Sequence, residues 1–439
     1  MLIKCLLTIK IVTQKGIAMK LTQKLLPLLV LMATTEAYAT DGYFAHGYGV
    51  KSQGMGGVGI ALPQDALAAA TNPAGMGLIG NRADFGVTWF RPVRESEIVG
   101  NLGGAAVNGT YDGNDSENFI IPEFGYNRQI NPEVTLGVSV YGNGGMNTDY
   151  KNGIPLFRST GRAGVDLAQL FVAPTATWKI TPSQTLGISL NLAYQRFEAR
   201  GLQGFDNVNF SKSPGSVTDR GHDNSYGAGL HLGWIGQIND VVTLGATYQS
   251  RTYMSKFDKY KGLFAEQGDF DIPSTYGIGI AVKASPAVTL AADVQRINYS
   301  EVASVGNASL SNFANGLGSD NGAGFGWKDV TTVKLGASYA YNESLTVRAG
   351  YNHSTQPIRT SETLFNILAP GVIQDHLTLG STWVLPNKAE LSLAYIHAFE
   401  ESVNGSGSIP SSPSAPFGGG NANLKMYQDS VGIAYGWPL

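Results

Sequence analysis

The chain has 439 residues, of which only 14% are charged and 56 are glycine, and its formal net charge is −3. Globular proteins carry about 25% charged residues and about 7% glycine, so a chain this poor in charge cannot coat several soluble domains. Disorder is excluded by 43% hydrophobic and 10% aromatic residues, and no apolar run reaches the roughly 18–20 residues of a membrane-spanning helix. A sequence that is apolar overall but never in long blocks reads as a transmembrane β-barrel.

Residues 1–39 read as a secretory signal peptide, with Met19 as a possible start. Met19, Lys20 and Lys24 form a basic segment, Leu25 to Ala33 is apolar, and Ala37-Tyr38-Ala39 places small residues where a signal peptidase reads them. The single cysteine, Cys5, falls in this segment, so the mature chain is expected to hold no disulfide, zinc site or thiol nucleophile. The segment also carries five Lys and one Glu, leaving a mature chain near −7, which gives no reason to expect nucleic acid as a partner.

Residues 40–82 do not alternate. Gly42-Tyr43-Phe44-Ala45-His46-Gly47-Tyr48-Gly49 is followed by Gly54-Met55-Gly56-Gly57-Val58-Gly59, then Asp65-Ala66-Leu67-Ala68-Ala69-Ala70 and Thr71-Asn72-Pro73-Ala74. The glycines lack the preceding strand and the following Lys-Ser/Thr of a phosphate loop. A stretch this small and glycine-rich has little core of its own and needs a surrounding wall. It is expected to be a plug, or hatch, inside a barrel lumen.

From 83 to 439 a repeat dominates: a tight polar turn, then an alternating strand. The turns are Ile130-Asn131-Pro132-Glu133, Ile180-Thr181-Pro182-Ser183, Ile238-Asn239-Asp240-Val241, Ala284-Ser285-Pro286-Ala287, Tyr341-Asn342-Glu343-Ser344 and Leu385-Pro386-Asn387-Lys388. After each turn the period is two: Leu186, Ile188, Leu190 and Leu192 lie opposite Thr185, Gly187, Ser189 and Asn191. Six hairpins, one strand before them (84–99) and one after (424–437) predict a closed, all-β, 14-stranded antiparallel barrel, oily face to lipid and polar face to the lumen. The long stretches between hairpins, rich in Gly, Ser, Asn and Asp, are its outer loops. Val431, Ile433, Tyr435, Trp437 and Leu439 alternate to the end, like a closing strand read by barrel-assembly machinery.

The glycine-rich start, Gly56-Gly57 with Ala61, Asp65-Ala66 and Asn72-Pro73-Ala74 resemble the hatch of the FadL family, which includes TodX-type hydrocarbon channels. Tyr141-Gly142-Asn143-Gly144-Gly145-Met146-Asn147-Thr148-Asp149-Tyr150, Leu167-Ala168-Gln169-Leu170 with Pro174, Trp327-Lys328-Asp329, and Phe365-Asn366-Ile367-Leu368-Ala369-Pro370 with Asp375-His376-Leu377 extend the resemblance over the mature chain. It implies a monomeric channel in the outer membrane of a Gram-negative bacterium, embedded in outer-membrane lipid. The implied activity is passive uptake of a hydrophobic small molecule, a long-chain fatty acid or hydrocarbon. A general porin and a surface receptor or adhesin are the alternatives.

Three constellations could carry function. Gly142, Asn143, Gly144 and Gly145 interrupt the third strand, either as a bulge at the rim or, as in the family, as a kink that opens the wall sideways. Tyr43, Phe44 and Tyr48 from the hatch and Phe157, Phe365 and Leu368 from the loops form a candidate ligand pocket. Arg158, Arg162, Lys328 and Lys334 are its candidate cations for a carboxylate ligand. By parity Glu123, Asp293, Lys334 and Arg348 face the lumen, where mixed signs predict a salt-bridge lattice anchoring the hatch. His231 and His376 also face inward but belong to no catalytic motif, so neither enzyme activity nor a cofactor or metal is expected.

Overall fold

The computed structural model describes residues 41–411 and 417–439. The signal segment, its cleavage after Ala39 and the choice of start fall outside the described residues, as does 412–416 in the last outer loop.

The six turns are built by side chains that accept backbone N–H groups. Asn131 Oδ1 accepts from the amides of Glu133 (2.9 Å) and Val134 (2.8 Å), Asn239 Oδ1 from Val241 and Val242, and Asn342 Oδ1 from Ser344 and Leu345. Each such Asn fixes a reversal of the chain and hence the register of the two strands it joins.

Fourteen barrel strands result: β1 (Arg82–Val99), β2 (Phe119–Gln129), β3 (Val134–Tyr150), β4 (Ala163–Thr181), β5 (Gln184–Arg200), β6 (Asp223–Gln237), β7 (Val242–Gln249), β8 (Thr275–Lys283), β9 (Val288–Ile297), β10 (Val330–Ala340), β11 (Leu345–Ser354), β12 (Asp375–Val384), β13 (Glu390–Val403) and β14 (Asn421–Pro438). Each pairs antiparallel with the next, and β14 closes on β1 from Arg82 opposite Pro438 to Val99 opposite Asn421. Closure removes the free edges that lipid would leave unsatisfied. The first and last strands run two or three residues beyond the expected bounds, because their mutual pairing holds both ends.

The oily face points outward. Leu186, Ile188, Leu190 and Leu192 are exposed, whereas Thr185, Ser189 and Asn191 between them are buried. Trp178, Tyr339, Trp383 and Tyr435 sit near the short turns, and Tyr226, Tyr276 and Tyr351 near the opposite ends. Two such belts mark the two water–lipid boundaries.

Residues 41–81 occupy the lumen with almost no regular structure: one helical turn, α1 (Val50–Gln53), and two short 3₁₀ turns. What holds them is the wall. Asp293 Oδ2 accepts from the amides of Gly59 (2.7 Å) and Ile60 (3.0 Å), Glu123 Oε2 from Gly49 N (3.0 Å), and Thr378 Oγ1 from Gly56 N (2.7 Å). Lys334 Nζ donates to His46 O at 2.7 Å and lies 3.6 Å from Asp41; Arg348 Nε donates to Gln64 Oε1 at 2.9 Å. The four parity-selected charges thus reach the hatch one by one, mostly its backbone, and do not form a lattice among themselves. Ion pairs do appear lower down, where Glu390 bridges Lys51 (2.5 Å) and Arg82 (2.6 Å).

Glycine sets how closely hatch and wall approach. A Cβ on Gly233 would lie 1.9 Å from Asn72 Oδ1, and one on Gly57, which also has φ +79°, would lie 1.9 Å from His46 O.

Candidate functional site

The third strand departs from its neighbour halfway up. β2 and β3 pair from Gln129 opposite Thr135 to Phe124 opposite Val140, and no further. On its other side β3 stays paired with β4 to Tyr150, with a bulge between Gly142 and Gly144. Residues 119–123 of β2 pair only with β1, so a seam without backbone hydrogen bonds runs up the wall between β2 and β3. From Tyr141 to Tyr150 almost every residue of β3 is buried, whichever face it occupies. The hatch covers this half of the strand, and residues 113–115 pair with its outer end at Asp149.

The hatch closes the seam from inside. Ala45 N donates to Asn143 O (3.1 Å) and Gly145 N to Tyr43 O (2.9 Å), so residues 43–45 add a short strand to the kink. Tyr48 Oη donates to Asn143, whose amide nitrogen reaches Gln169 Oε1 at 3.0 Å. Gly144 permits this approach: a Cβ there would stand 2.0 Å from Tyr43 O. Tyr299, which sequence reasoning missed, pins the same segment; its hydroxyl donates to Asp41 O (2.5 Å) and accepts from the amides of Tyr43 (3.1 Å) and Phe44 (3.2 Å).

Two cavities lie outward of the seam. The larger, about 40 Å³, is walled by Phe197, Phe205, Phe264, Phe325, Phe365 and Leu368. Phe157 packs on Phe205 with ring centroids 5.4 Å apart and is buried behind this wall. The smaller, about 20 Å³, is lined by Tyr43, Arg94, Met146, Trp327, Gly371 and Met426. Of the candidate pocket residues, Phe365 and Leu368 line the larger cavity and Tyr43 the smaller; Phe44 is buried against Tyr299, and the Tyr48 ring packs tilted against Tyr141 at 4.8 Å. The candidate cations lie elsewhere. Arg158 is exposed at a left-handed position (φ 55°), Arg162 is exposed and ion-paired with Asp115 and Asp149, and Lys328 is exposed, because hydration of these charges favours the outer rim. The cation that lines one of these two cavities is Arg94 of β1; its inward parity with Phe90 and Ser96 was the available sequence signal.

The remaining hatch residues shape the plug. Asn72 caps the turn that Pro73 and Ala74 open, its Oδ1 accepting from Ala74 N at 3.1 Å while its amide donates to Ile60 O (2.7 Å) and Trp234 O (3.1 Å). Gly56 and Gly57 form the sharp bend before Val58, both with positive φ. Asp65 is buried, and burial, with the nearby Asp84 charge, raises its carboxyl to about 6 against the pull of Lys51 and Arg82. Its raised value means the charged form weakens the hatch above pH 6, while protonation strengthens it as pH falls through about 6 towards the ordinary value near 3.9. Residual ion leak is therefore expected to be smaller at about pH 5 than at about pH 7.5, and Asp65→Asn to flatten that difference in planar-bilayer recordings.

A family model described as "Outer membrane protein transport protein (OMPP1/FadL/TodX)" matches residues 31–409. The chain belongs to this family. Solved structures agree on the fold: the Pseudomonas putida toluene transporter TodX (16% identity, 90% of this chain and 99% of that one, TM-score 0.65) and a Pseudomonas aeruginosa FadL homologue (15%, 90% and 98%, 0.67). The Ralstonia pickettii toluene transporter TbuX is similar too (17%, 90% and 99%, 0.62). Among curated proteins, an uncharacterised Chlorobium limicola protein from the 5′ region of a phosphoenolpyruvate carboxykinase gene is 40% identical over 68 residues, which span 15% of this chain and about a third (34%) of that protein. Membership places the barrel in the outer membrane, as a transport protein of the family.

Proposed function

We propose that the chain admits apolar small molecules, fatty acids or hydrocarbons, by passive diffusion, and that they leave sideways into the bilayer through the β2–β3 seam. The observation that carries this reading is the unpaired seam above Val140, stoppered from within by residues 43–48 and adjoining two apolar cavities. A solute captured among the loop aromatics moves to the cavity beside Tyr43; displacement of the hatch strand from Asn143–Gly145 then uncovers the seam. Each CH₂ kept out of water saves about 0.8 kcal/mol, so for a ten-carbon chain a lateral exit avoids a barrier of about 8 kcal/mol that crossing an aqueous lumen would raise.

Residues 41–81 act as the hatch and 82–439 as the barrel, working as a monomer in outer-membrane lipid after delivery by barrel-assembly machinery, with no catalytic step. Deletion of the gene is expected to slow uptake of a labelled long-chain fatty acid or alkylbenzene, and the purified protein to show little steady ion current in planar bilayers. Unaltered uptake, or a large open-pore current, overturns the reading.

A further inference from the structure

Three amides run in line across the inner wall beside the seam. Asn143 Nδ2 donates to Gln169 Oε1 (3.0 Å), Gln169 Nε2 to Gln195 Oε1 (3.1 Å), and Gln195 Nε2 to Phe270 O (2.7 Å). Gln169 of β4 and Gln195 of β5 stand opposite each other in register, and Gln169 faces Gly144 on its other side. All three side chains are buried. A backbone carbonyl only accepts, so Phe270 O fixes the sense of the whole row, each amide offering its NH₂ towards the loop and its oxygen towards the seam. That leaves Asn143 Oδ1 to Tyr48 Oη of the hatch, which donates at 3.2 Å. Bonds aligned head to tail strengthen one another, and a buried amide that loses its acceptor is destabilised.

The two ends of the row have different duties. At the seam, Asn143 holds the stopper through Ala45 N and Tyr48 Oη. At the other end, Phe270 belongs to the outer loop between β7 and β8. Its ring lies 4.8 Å from Phe264, which walls the aromatic cavity, and 6.1 Å from Tyr43. That cavity, about 40 Å³, has room for only a few waters. An alkylbenzene or an acyl chain therefore enters only by parting the rings around it. Movement of Phe270 takes its carbonyl away from Gln195, whose other partner, Ser225 Oγ, lies at the limit of hydrogen-bond reach (3.5 Å).

We propose that Gln169 and Gln195 are positioning residues of a relay between the loop aromatics and the seam. A solute that parts Phe264 and Phe270 withdraws the end acceptor, the row loosens, and Asn143 releases the hatch strand. Entry of the solute thereby unlocks its own exit. The proposal rests on the hydrophobic-uptake reading and adds what opens that passage.

The test follows exposure of the stopper. Ala45→Cys in a Cys5→Ser background is placed in phospholipid nanodiscs, and its reaction with a water-soluble methanethiosulfonate is timed with and without saturating decanoate or butylbenzene. At least one solute is expected to speed the reaction about tenfold or more, within the usual range of coupling between two sites. Gln169→Met and Gln195→Met keep the length of the side chain but cannot pass the bond on. Each is expected to raise the solute-free rate and to cut the solute-induced gain below about threefold. The double variant is expected to lose no more than either single one, because both interrupt one row; losses that multiply mark two separate packing defects and overturn the relay. Phe270→Ala lies off the wall and keeps the carbonyl while removing the ring that a solute pushes, so it too is expected to blunt the gain at saturation. Heat-modifiable gel mobility reports assembly; if neither Gln variant assembles, Phe270→Ala decides. A full gain in any of these variants overturns the proposal. No gain in the parent barrel, while cells carrying it still take up labelled decanoate or butylbenzene, overturns the relay and leaves hydrophobic uptake standing. Loss of both overturns the uptake reading as well.

Discussion

Gly144→Leu is expected to cut uptake of a hydrophobic solute at least tenfold while the barrel still assembles. The added Cβ would stand 2.0 Å from Tyr43 O, far inside van der Waals contact, and the branched side chain beyond it fills the inner mouth of the seam. Neither the hatch strand nor a passing solute can then occupy that space. Assembly survives because Gly144 faces Gln169 through backbone groups, and β3 keeps its pairing with β4. Gly161→Leu is the matched control, since a Cβ there meets nothing within 4 Å. Uptake per assembled barrel is the measurement; wild-type rates in Gly144→Leu sink the lateral route.

Lys334→Met acts on the stopper itself. The substitution removes the 2.7 Å hydrogen bond to His46 O and leaves the buried Asp41 without its 3.6 Å cationic neighbour. A hydrogen bond to a charged group contributes about 1.5–3 kcal/mol, so the hatch should leave its seat about ten to a hundred times more often. Transient current steps in planar bilayers are the readout, together with faster antibiotic entry in cells. A variant as quiet as the wild type shows that the remaining anchors suffice, and that Lys334 does not hold the seal.

Local chemistry decided what the sequence disclosed. Asn131, Asn239 and Asn342 each act within three residues of themselves, so their turns, and with them the strand count, were readable from a repeat. The hatch was readable because Gly56, Gly57 and the alanines around 68–70 break the strand alternation. Long-range pairings left no such trace. Tyr299 pins Tyr43 from 256 positions away, and nothing around Tyr299 announces it. Phe197, Phe205, Phe264 and Phe325 lie on separate stretches of chain, and only the fold gathers them with Phe365. Arg94 was hidden differently: in a strand already rich in Arg and Glu it reads as one more wall charge. Arg158, Arg162 and Lys328 drew attention by lying near the right loops, yet proximity along the chain did not turn them inward.

The hatch also fixes an order of events during assembly. Its partners Tyr299, Lys334, Thr378 and Glu390 stand 256 to 339 positions further along the chain, and it has no core of its own to hold a shape before they arrive. Such distant contacts form only after the intervening chain is in place. Residues near the start are therefore the last to become ordered, and a barrel lacking its final strands is necessarily unsealed. Completion of the wall and closure of the passage are one event, which protects the cell from a half-built hole in its outer membrane.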